Sequence, residues 1–416
     1  MDPRECRPAA ERERDLFARL PKQIAHAKRN TAYFGKALEH VDPGKITTRD
    51  ALATLAVTRK SDLARLQSAD PPFGGLCAAP IEQLQRIFQS PGPIYEPQGT
   101  HADTFRLSRA LRAAGFERGD LVHNTFSYHF TPGAWMMESA AHALGCCVFP
   151  AGVGQTEMQA RAIAQLRCTA YTGTPSFLKL ILEKADELEL DVSCLKKAVV
   201  SGEALTPSMR QWFAQRGLQV LSVYATADVG LIAYEAPGLP SGMVLDEDII
   251  VEIVQPNEST TVPIGEVGEV VVTVFDSDYP LIRFATGDLS AFDVESIDQP
   301  SPCGRTNLRI RGWLGRADQT TKIKGMFVHP GQISEIARKH QEIVKARLVV
   351  AGNVGSEQVT IRCETTNDPA ADSAGLAQSI AATVREVTKL RAEVAFEPLS
   401  SLPSDGLLIE DARTYD

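Results

Sequence analysis

The strongest constraint on the fold is an alternation of short apolar runs and helix-like stretches between residues 121 and 226. Strand-like runs read LVHNTFS, CCVFPAG, TAYTG, KKAVVSG and QVLSVYAT, and stretches with helical spacing separate them near 133–144, 156–166, 175–189 and 206–216. Strands that alternate with helices in this way favour a parallel or mostly parallel sheet covered by helices. The sequence therefore predicts an α/β protein.

The pattern changes in the last two fifths of the chain. The runs IIVEIV and GEVVVTVF are rich in β-branched residues and lie between Pro, Asn, Ser and Gly, which indicates an antiparallel, β-rich subdomain. A smaller α+β unit with a β-α-β-β-α-β order is expected after it, so we predict two domains, 1–316 and 317–416. Its strands are expected near 325–328, 345–351, 357–363 and 392–397, and its helices near 330–340 and 372–389.

Bulk properties exclude several classes of protein. A chain of 416 residues exceeds the size at which a single core stops growing, about 250–300 residues. Its net charge of −9 argues against nucleic acid as a partner, because phosphate backbones bind basic surfaces. No apolar run reaches the roughly 18 residues of a membrane span. We expect a cytoplasmic protein with a small-molecule partner, no membrane association, and a monomeric or homodimeric state.

The segment SGEAL at 201–205 follows the strand-like run AVV and is the first candidate binding element. Ser201, Gly202, Glu203 and Ala204 are small or polar, and small residues at a strand end allow the backbone to approach a planar ligand closely. Many turns in α/β proteins have the same composition, so this segment alone decides little.

The segment VYATADVG at 223–230 follows the next strand-like run. Tyr224 and Ala225 could pack against a base, Thr226 could bond a phosphate, and Asp228 could hold Mg²⁺, which takes one or two carboxylates plus phosphate oxygens at nucleotide sites. A buried tyrosine followed by a turn aspartate is the structural alternative.

Two further segments carry charged residues suited to a nucleotide. In RFATGDL, Asp288 follows Thr-Gly and could present both carboxylate oxygens to ribose hydroxyls. In GRADQTTKIKGMFVHPGQI, Arg316, Asp318, Lys322 and Lys324 lie close together at the predicted domain boundary. For any one of these residues, a solvated linker is the simpler explanation.

The order of the four segments is more specific than any one of them. SGEAL, YATAD, RFATGDL and GRAD…KGMFVHPGQI occur in the order found in adenylate-forming enzymes, and the chain resembles their phenylacetate–CoA ligase family. TRKSDL, PPFGGL, NTFSYHFTPGAWMMESAAHALGC, YTGTPSFL and CGRT resemble that family too, so the similarity extends over nearly the whole chain.

This resemblance implies a large N-terminal adenylate-forming domain, a small mobile C-terminal domain, and activation of an aromatic carboxylic acid by ATP and Mg²⁺ before transfer to coenzyme A. It implies that Ser201, Gly202, Glu203 and Ala204 border the adenine, with Tyr224 and Ala225 beside it. The other implied roles are α-phosphate contact for Thr226, Mg²⁺ binding for Asp228, ribose binding for Asp288 with Arg316, a hinge at Asp318 and a catalytic charge at Lys324.

The resemblance also implies an acyl pocket built from aromatic and small residues. Aromatic side chains with small neighbours suit a flat ring between apolar walls, which modestly favours an aryl or arylacetic acid. His129 is expected to be a wall or a packing residue. The pocket residues implied are Tyr128, His129, Gly133, Ala134, Tyr171, Gly173 and Thr174.

Three departures from the family pattern bear on the chemistry. The family's phosphate loop is hydroxyl- and Gly-rich and commonly carries Lys, whereas FQSPGPIYEP has lost two N–H donors to Pro91 and Pro93. The C-terminal Gly-Lys pair reads Gly406-Leu407, and leucine cannot stabilise an anionic transition state. The chain also lacks the Cys and His with which some relatives hold zinc, so we expect no zinc.

Three functional hypotheses remain open from sequence. The protein is an acid–CoA ligase that uses Lys324, Lys322 or a partner's lysine in place of the missing one. Alternatively, the first half-reaction is impaired, and the protein runs only transfer from an acyl-adenylate. The third is a non-catalytic binding protein that kept the fold and the nucleotide pocket.

Overall fold

The chain forms two compact units of unequal size. The larger comprises Met1–Gln255, Ser259–Thr286 and Ser290–Trp313, and the smaller comprises Pro256–Glu258, Gly287–Leu289 and Leu314–Asp416. Among the described residues, no helix combines the length and apolar character needed to cross a bilayer. The computed structural model describes residues 2–90, 93–239, 241–319, 321–323, 326–352, 357–366, 373–403 and 405–413.

The larger unit contains ten α-helices and fourteen strands among its described residues. Its helices are α1 (Ala9–Asn30), α2 (Ala32–Ala37), α3 (Arg49–Ala53), α4 (Leu63–Ala69), α5 (Ser108–Ala113), α6 (Gly133–Ala143), α7 (Thr156–Leu166), α8 (Pro175–Glu187), α9 (Pro207–Gln215) and α10 (Glu295–Asp298). Its strands are β1 (Thr58–Arg59), β2 (Arg86–Ser90), β3 (Ile94–Gln98), β4 (Leu121–Asn124), β5 (Cys147–Pro150), β6 (Ala170–Gly173), β7 (Lys197–Val200), β8 (Gln219–Thr226), β9 (Gly230–Tyr234), β10 (Met243–Leu245), β11 (Ile249–Val254), β12 (Gly268–Val274), β13 (Phe284–Ser290) and β14 (Arg309–Ile310).

An eight-stranded sheet forms the centre of this unit, in the order β14-β10-β9-β8-β7-β6-β4-β5. The five strands from β8 to β5 pair in parallel, and β9, β10 and β14 add antiparallel neighbours. The parallel strands β6 and β7 are buried on both faces, as expected for a sheet with helical layers on each side. Because the five strands are parallel, their carboxyl ends meet at one edge of the sheet.

Strand alternation distributes side chains between two cores. Ala170 and Val199 pack in the cluster that includes α5 and α6, whereas Tyr171 and Val200 pack in the cluster that includes α7, α8 and α9. The side on which a strand residue points therefore decides which helical layer it contacts.

A second sheet and the N-terminal helix form a third packed region. This sheet has the order β1-β13-β12-β11, and its strands β11 and β12 are buried along their whole length. The spacing of Leu16, Leu20, Ile24 and Ala27 predicts one apolar helical stripe, and in α1 all four are buried in the same cluster. The hairpin β2–β3 pairs separately, with Ser90 opposite Ile94 across its turn.

The smaller unit is an α+β arrangement. Its four-stranded sheet has the order β20-β19-β18-β21, and α11 and α12 contribute to its core. Its elements are β15 (Gly315–Arg316), β16 (Thr321–Ile323), β17 (Met326–Val328), α11 (Pro330–Lys339), β18 (Ile343–Ala351), β19 (Gln358–Thr365), α12 (Ser373–Thr388), β20 (Glu393–Glu397) and β21 (Ile409–Asp411).

The α/β fold class is confirmed. The strand expected near 325–328 is present as Met326–Val328, which pairs with Thr321–Ile323 in a two-stranded hairpin. The strand Ile409–Asp411, which the sequence did not predict, pairs in parallel with β18. This segment is short and follows a turn, so its strand signal is weak in the sequence. The boundary between 316 and 317 stays a prediction.

Candidate active site

The predicted binding segments of the larger unit follow the carboxyl ends of neighbouring parallel strands. The segments after β4, β6, β7 and β8 contain the residues expected around adenine, phosphate and acid. In open α/β sheets, ligands bind outside the carboxyl ends of strands. The sheet order therefore brings together residues 124–134, 173–176, 201–204 and 224–228.

The SGEAL segment is fixed at this edge of the sheet by hydrogen bonds to neighbouring segments. Ser201 donates from its hydroxyl to the Val223 carbonyl at 2.8 Å, which ties the segment to β8. Gly202 has φ of +83°, a left-handed conformation that favours glycine. Glu203 accepts from the Ser176 N–H at 2.6 Å, at the start of α8. Gly202, Glu203 and Ala204 are exposed, as a surface for a planar ligand requires.

Tyr224 is anchored to β13 of the second sheet. Its hydroxyl lies 3.3 Å from the Thr286 hydroxyl, which donates to the Val270 carbonyl at 3.1 Å. The tyrosine is buried, with 7% of its surface exposed, so only part of the ring can contact a ligand. Ala225 and Thr226 beside it are half-buried. The Thr226 hydroxyl accepts from the Val229 N–H at 3.2 Å and shapes the turn that carries Asp228.

Asp228 is buried inside this turn and forms an ion pair with Lys60. Its side chain has no exposed surface, and its Oδ2 is 2.5 Å from the Lys60 ammonium. Its second oxygen, Oδ1, has no hydrogen-bond partner within the described part of the chain. One carboxylate oxygen is thus left for a further ligand. This donor fits Mg²⁺, which at nucleotide sites takes one or two carboxylate oxygens.

The hairpin β2–β3 carries a second buried carboxylate. Alternation along β3 turns Ile94, Glu96 and Gln98 inward, so Glu96 reaches the interior with no exposed surface. Ser90 donates from its hydroxyl to Glu96 Oε1. The Ser90 hydroxyl is therefore bonded to the protein's own carboxylate. Pro91 and Gly92 lie outside the described residues.

Glu96 is electrostatically coupled to the Asp228 turn. Burial, and then the charge of Asp228, raise the pKa of Glu96 to about 7, against smaller opposing effects of the Ser90 hydrogen bond and the Lys60 charge. Burial and the same two carboxylates also raise the pKa of Tyr279 well above its usual value. We call Glu96, Asp228 and Tyr279 the acidic cluster.

The predicted acyl pocket has a polar contact on one side. The Tyr128 hydroxyl donates to Glu138 Oε2 at 2.7 Å and accepts from Asn124 Nδ2 at 2.9 Å. Burial and this contact with Glu138 raise the pKa of Tyr128. Its ring meets Trp135 edge-on, with centroids 5.1 Å apart. His129 is exposed on the same loop.

Other residues predicted for this pocket are buried or stabilise the local structure. Tyr171 has no exposed surface and shares a 2.7 Å hydrogen bond with Thr125, and Ala134 is also fully buried. Gly173 permits this contact, because a Cβ there would lie 2.1 Å from the Thr125 hydroxyl. Thr174 caps α8 through its hydroxyl. Gly133 begins α6, where a Cβ would lie 3.5 Å from the Phe126 ring.

In the smaller unit, Asp288 and Arg316 are paired. They face each other in the register of β13 and β15, with Arg316 Nη1 3.3 Å from Asp288 Oδ1. Gly287 has φ of +77°, and a Cβ there would lie 2.9 Å from the Arg316 guanidinium. Glycine at this position therefore lets the arginine lie against the strand beside the aspartate.

The tail turn that carries Leu407 is tied to the predicted hinge segment. Gln319 donates to the Gly406 carbonyl at 3.4 Å and accepts from the Leu408 N–H at 3.3 Å. Leu407 is 40% exposed, and its N–H donates to Asp405. Lys324 lies outside the described residues, as do the side chains of Asp318 and Lys322.

Lys60, Glu96 and Tyr279 were not selected from the sequence. Lys60 lies in the TRKSDL segment, 168 residues before the aspartate it contacts, so no local pattern reveals the pair. Glu96 does carry a signal, because it sits at an inward position between Ile94 and Gln98. A carboxylate at such a position in a short hairpin indicates a functional or paired group.

Comparison with known proteins identifies the family to which the chain belongs. Residues 98–274 match the family model described as AMP-binding enzyme. The chain is 30% identical over 362 residues to phenylacetate-coenzyme A ligase of Escherichia coli, a match that covers 83% of this chain and 79% of that one. It is 28% identical over 358 residues to the enzyme of the same name from Thermus thermophilus, covering 81% and 78%. The chain belongs to the phenylacetate–coenzyme A ligase family.

The fold also matches a solved structure along almost its full length. An open conformation of 2-hydroxyisobutyryl-CoA ligase, in complex with 2-HIB-AMP and CoA, superposes with a TM-score of 0.84. That match covers 98% of this chain and 93% of the other at 23% identity. At this identity the likeness establishes the adenylate-forming fold.

Proposed function

We propose that the protein joins an aromatic carboxylic acid to coenzyme A in two steps driven by ATP. The observation that carries this proposal is family membership along 83% of the chain. The relatives are named for phenylacetate, and Tyr128, an aromatic residue predicted for the acid pocket, packs edge-on against Trp135. An aryl or arylacetic acid is therefore the proposed substrate class. We propose that the protein acts in the cytoplasm, as a monomer or a homodimer.

In the first step, a carboxylate oxygen of the acid attacks the α-phosphorus of ATP, and pyrophosphate leaves. The SGEAL backbone and Tyr224 hold the adenine, and the Thr226 hydroxyl faces the α-phosphate. Asp228 is the residue that would hold Mg²⁺, whose charge would stabilise the phosphates. Asp288 binds the ribose hydroxyls, and its pairing with Arg316 holds the carboxylate in position.

In the second step, the coenzyme A sulfur attacks the acyl carbonyl carbon, and AMP leaves with the carboxylate oxygen. The thiol gives up its proton, and the new carbon–sulfur bond replaces the carbon–oxygen bond of the adenylate. The proposal includes rotation of the smaller unit about Asp318 between the steps, since backbone dihedral changes at a few residues permit such motions.

Two observations favour transfer from a supplied acyl-adenylate as a second candidate. Leu407 occupies the tail position where the family carries a lysine for the first step. In the β2–β3 hairpin, the Ser90 hydroxyl donates to Glu96. Loss of one electrostatic contact to a developing charge costs about 10²–10³ in rate. The second step does not need that lysine.

Pyrophosphate release separates the two candidates. Protein is mixed with Mg-ATP and a panel of phenylacetic and benzoic acids, with release measured by a coupled assay. Release at rates far above the protein-free control supports the full reaction. No release, together with CoA ester formed from a supplied acyl-adenylate, supports the transfer reaction. If neither product forms while AMP binds, the non-catalytic alternative holds.

A further inference from the structure

The β2–β3 hairpin, which occupies the place of the family's phosphate loop in the sequence, packs on the loop and helix of the predicted acid pocket. The Arg86 guanidinium lies over the Trp135 ring, with its central carbon 4.1 Å from the ring centroid. The Gln89 N–H donates to the Phe130 carbonyl at 2.9 Å. Between them in β2, Phe88 is buried in the core cluster to which α6 contributes. Side-chain, backbone and core contacts therefore all join the hairpin to the pocket.

The Trp135 ring connects the hairpin to Tyr128. Arg86 lies against the face of this ring, and Tyr128 meets it edge-on with the centroids 5.1 Å apart. The indole N–H of Trp135 also donates to the Tyr128 carbonyl at 3.4 Å. Arg86 is itself oriented across the hairpin, because its Nη1 donates to Gln98 Oε1 at 3.3 Å. Tryptophan has the aromatic face that attracts cations most strongly, so one ring links the position of Tyr128 to that of the hairpin.

The backbone of the pocket loop depends on the hairpin as well. Phe130 has φ of +60°, a left-handed conformation that is uncommon for a bulky residue. Its side chain is 74% exposed, so packing does little to offset the strain. Strained conformations persist only where surrounding contacts stabilise them, and the hydrogen bond from Gln89 is such a contact. A hairpin that moved away would therefore release the loop that carries Tyr128.

We propose that Arg86 is a positioning residue that couples the acid pocket to the β2–β3 hairpin through Trp135. An acid that orders Tyr128 also orders the hairpin. A nucleoside triphosphate whose β- and γ-phosphates contact the hairpin orders the same ring stack. The first ligand bears the ordering cost for both, so each ligand strengthens the binding of the other. The identity of the two ligands rests on the proposed function.

Binding without turnover tests this coupling. The Kd of the tightest-binding acid from a panel of phenylacetic and benzoic acids is measured by calorimetry, with and without saturating Mg-α,β-methylene-ATP, which the acid cannot convert to an adenylate. In wild type we expect the analogue to lower the Kd of the acid by about fivefold or more. Arg86→Met should bring this ratio to about one. AMP lacks the β- and γ-phosphates, so Arg86→Met should leave the effect of AMP on the Kd of the acid unchanged.

Conservative variants separate positioning from a stabilising role. Arg86→Lys and Trp135→Phe each keep a cation over an aromatic face and should retain most of the coupling. Trp135→Leu should abolish it, and combining Trp135→Leu with Arg86→Met should cause no further loss, because the two residues act as one unit. Arg65→Met, at an arginine of α4 whose side chain is 72% exposed, is the matched control. A purely stabilising role for Arg86 would lower the melting temperature of Arg86→Met and leave the ratio of Kd values unchanged.

Three outcomes overturn the proposal, and they differ in what they say about the proposed function. Acid and analogue that bind wild type independently show that no coupling exists, although both ligands have sites. A wild-type ratio in Arg86→Met shows that the coupling runs through other residues. Wild type that binds no acid of the panel contradicts the proposed substrate class itself. If Arg86→Met fails to fold, the pair Trp135→Phe and Trp135→Leu provides the same comparison.

Discussion

The residues proposed to bind the nucleoside keep the family pattern more closely than those proposed to bind the phosphates. On the nucleoside side, Tyr224, Asp288 and Arg316 are present, and the latter two are paired. On the phosphate side, the hairpin buries Glu96, and the tail presents Leu407. A nucleoside needs shape and a few hydrogen bonds, whereas a phosphoryl transition state needs positive charge. From this comparison we propose that nucleotide binding is preserved while the positive charge expected from the tail lysine is missing.

Leu407→Lys gives the largest expected effect and tests the phosphate side directly. Leu407 is 40% exposed, so a lysine can occupy this position without burying its charge. We expect pyrophosphate release to rise by about 10²–10³, because one electrostatic contact to the transition state contributes that much. Leu407→Met is the matched control and should leave release unchanged. Equal rates for the two variants would show that the tail charge does not limit the first step.

The pH dependence of stability tests whether buried Glu96 holds a proton in the folded protein. Its charged and polar neighbours include Asp228, Lys60, Ser90 and Tyr279. Its pKa is raised from 4.5 to about 7, so between these two values the folded protein keeps a proton that the unfolded chain releases. Stability therefore falls as pH rises through this window, by up to about 3 kcal/mol at roughly 1.4 kcal/mol per pKa unit. Glu96→Gln should remove that slope in denaturant titrations with EDTA. Identical slopes for both proteins would contradict this assignment.

Asp288→Ala tests the nucleoside side. Loss of hydrogen bonds from a carboxylate to two ribose hydroxyls removes about 1.5–3 kcal/mol, which predicts about a 10- to 100-fold increase in the Kd of AMP. Calorimetry with AMP measures this change. Glu266→Gln, at an exposed acid elsewhere, is the control. Unchanged AMP affinity in Asp288→Ala would remove the basis for a preserved nucleoside site.

The sequence predicted the parts of this molecule whose signals are local. The helical stripe of α1 and the alternation from β4 to β8 follow from spacing alone, and both are confirmed. The strand near 325–328 is confirmed, whereas Ile409–Asp411 was not predicted, because a three-residue strand after a turn carries little signal in the sequence. Among the site residues, the Lys60–Asp228 contact is non-local, and the burial of Tyr171 depends on which sheet face it occupies. The acidic cluster required the three-dimensional structure.

Tyr128→Phe tests the acid pocket and has the smallest expected effect. The Tyr128 hydroxyl bonds both Glu138 and Asn124, so its removal should loosen the polar side of the pocket while the ring stays against Trp135. We expect the KM for an aromatic acid to rise about fivefold, corresponding to about 1 kcal/mol, with the Kd of AMP unchanged. Tyr33→Phe, in α2, is the control. A rise in the AMP Kd equal to the rise in KM would show that Tyr128 supports the nucleotide side as well, which would break the separation between the two sites.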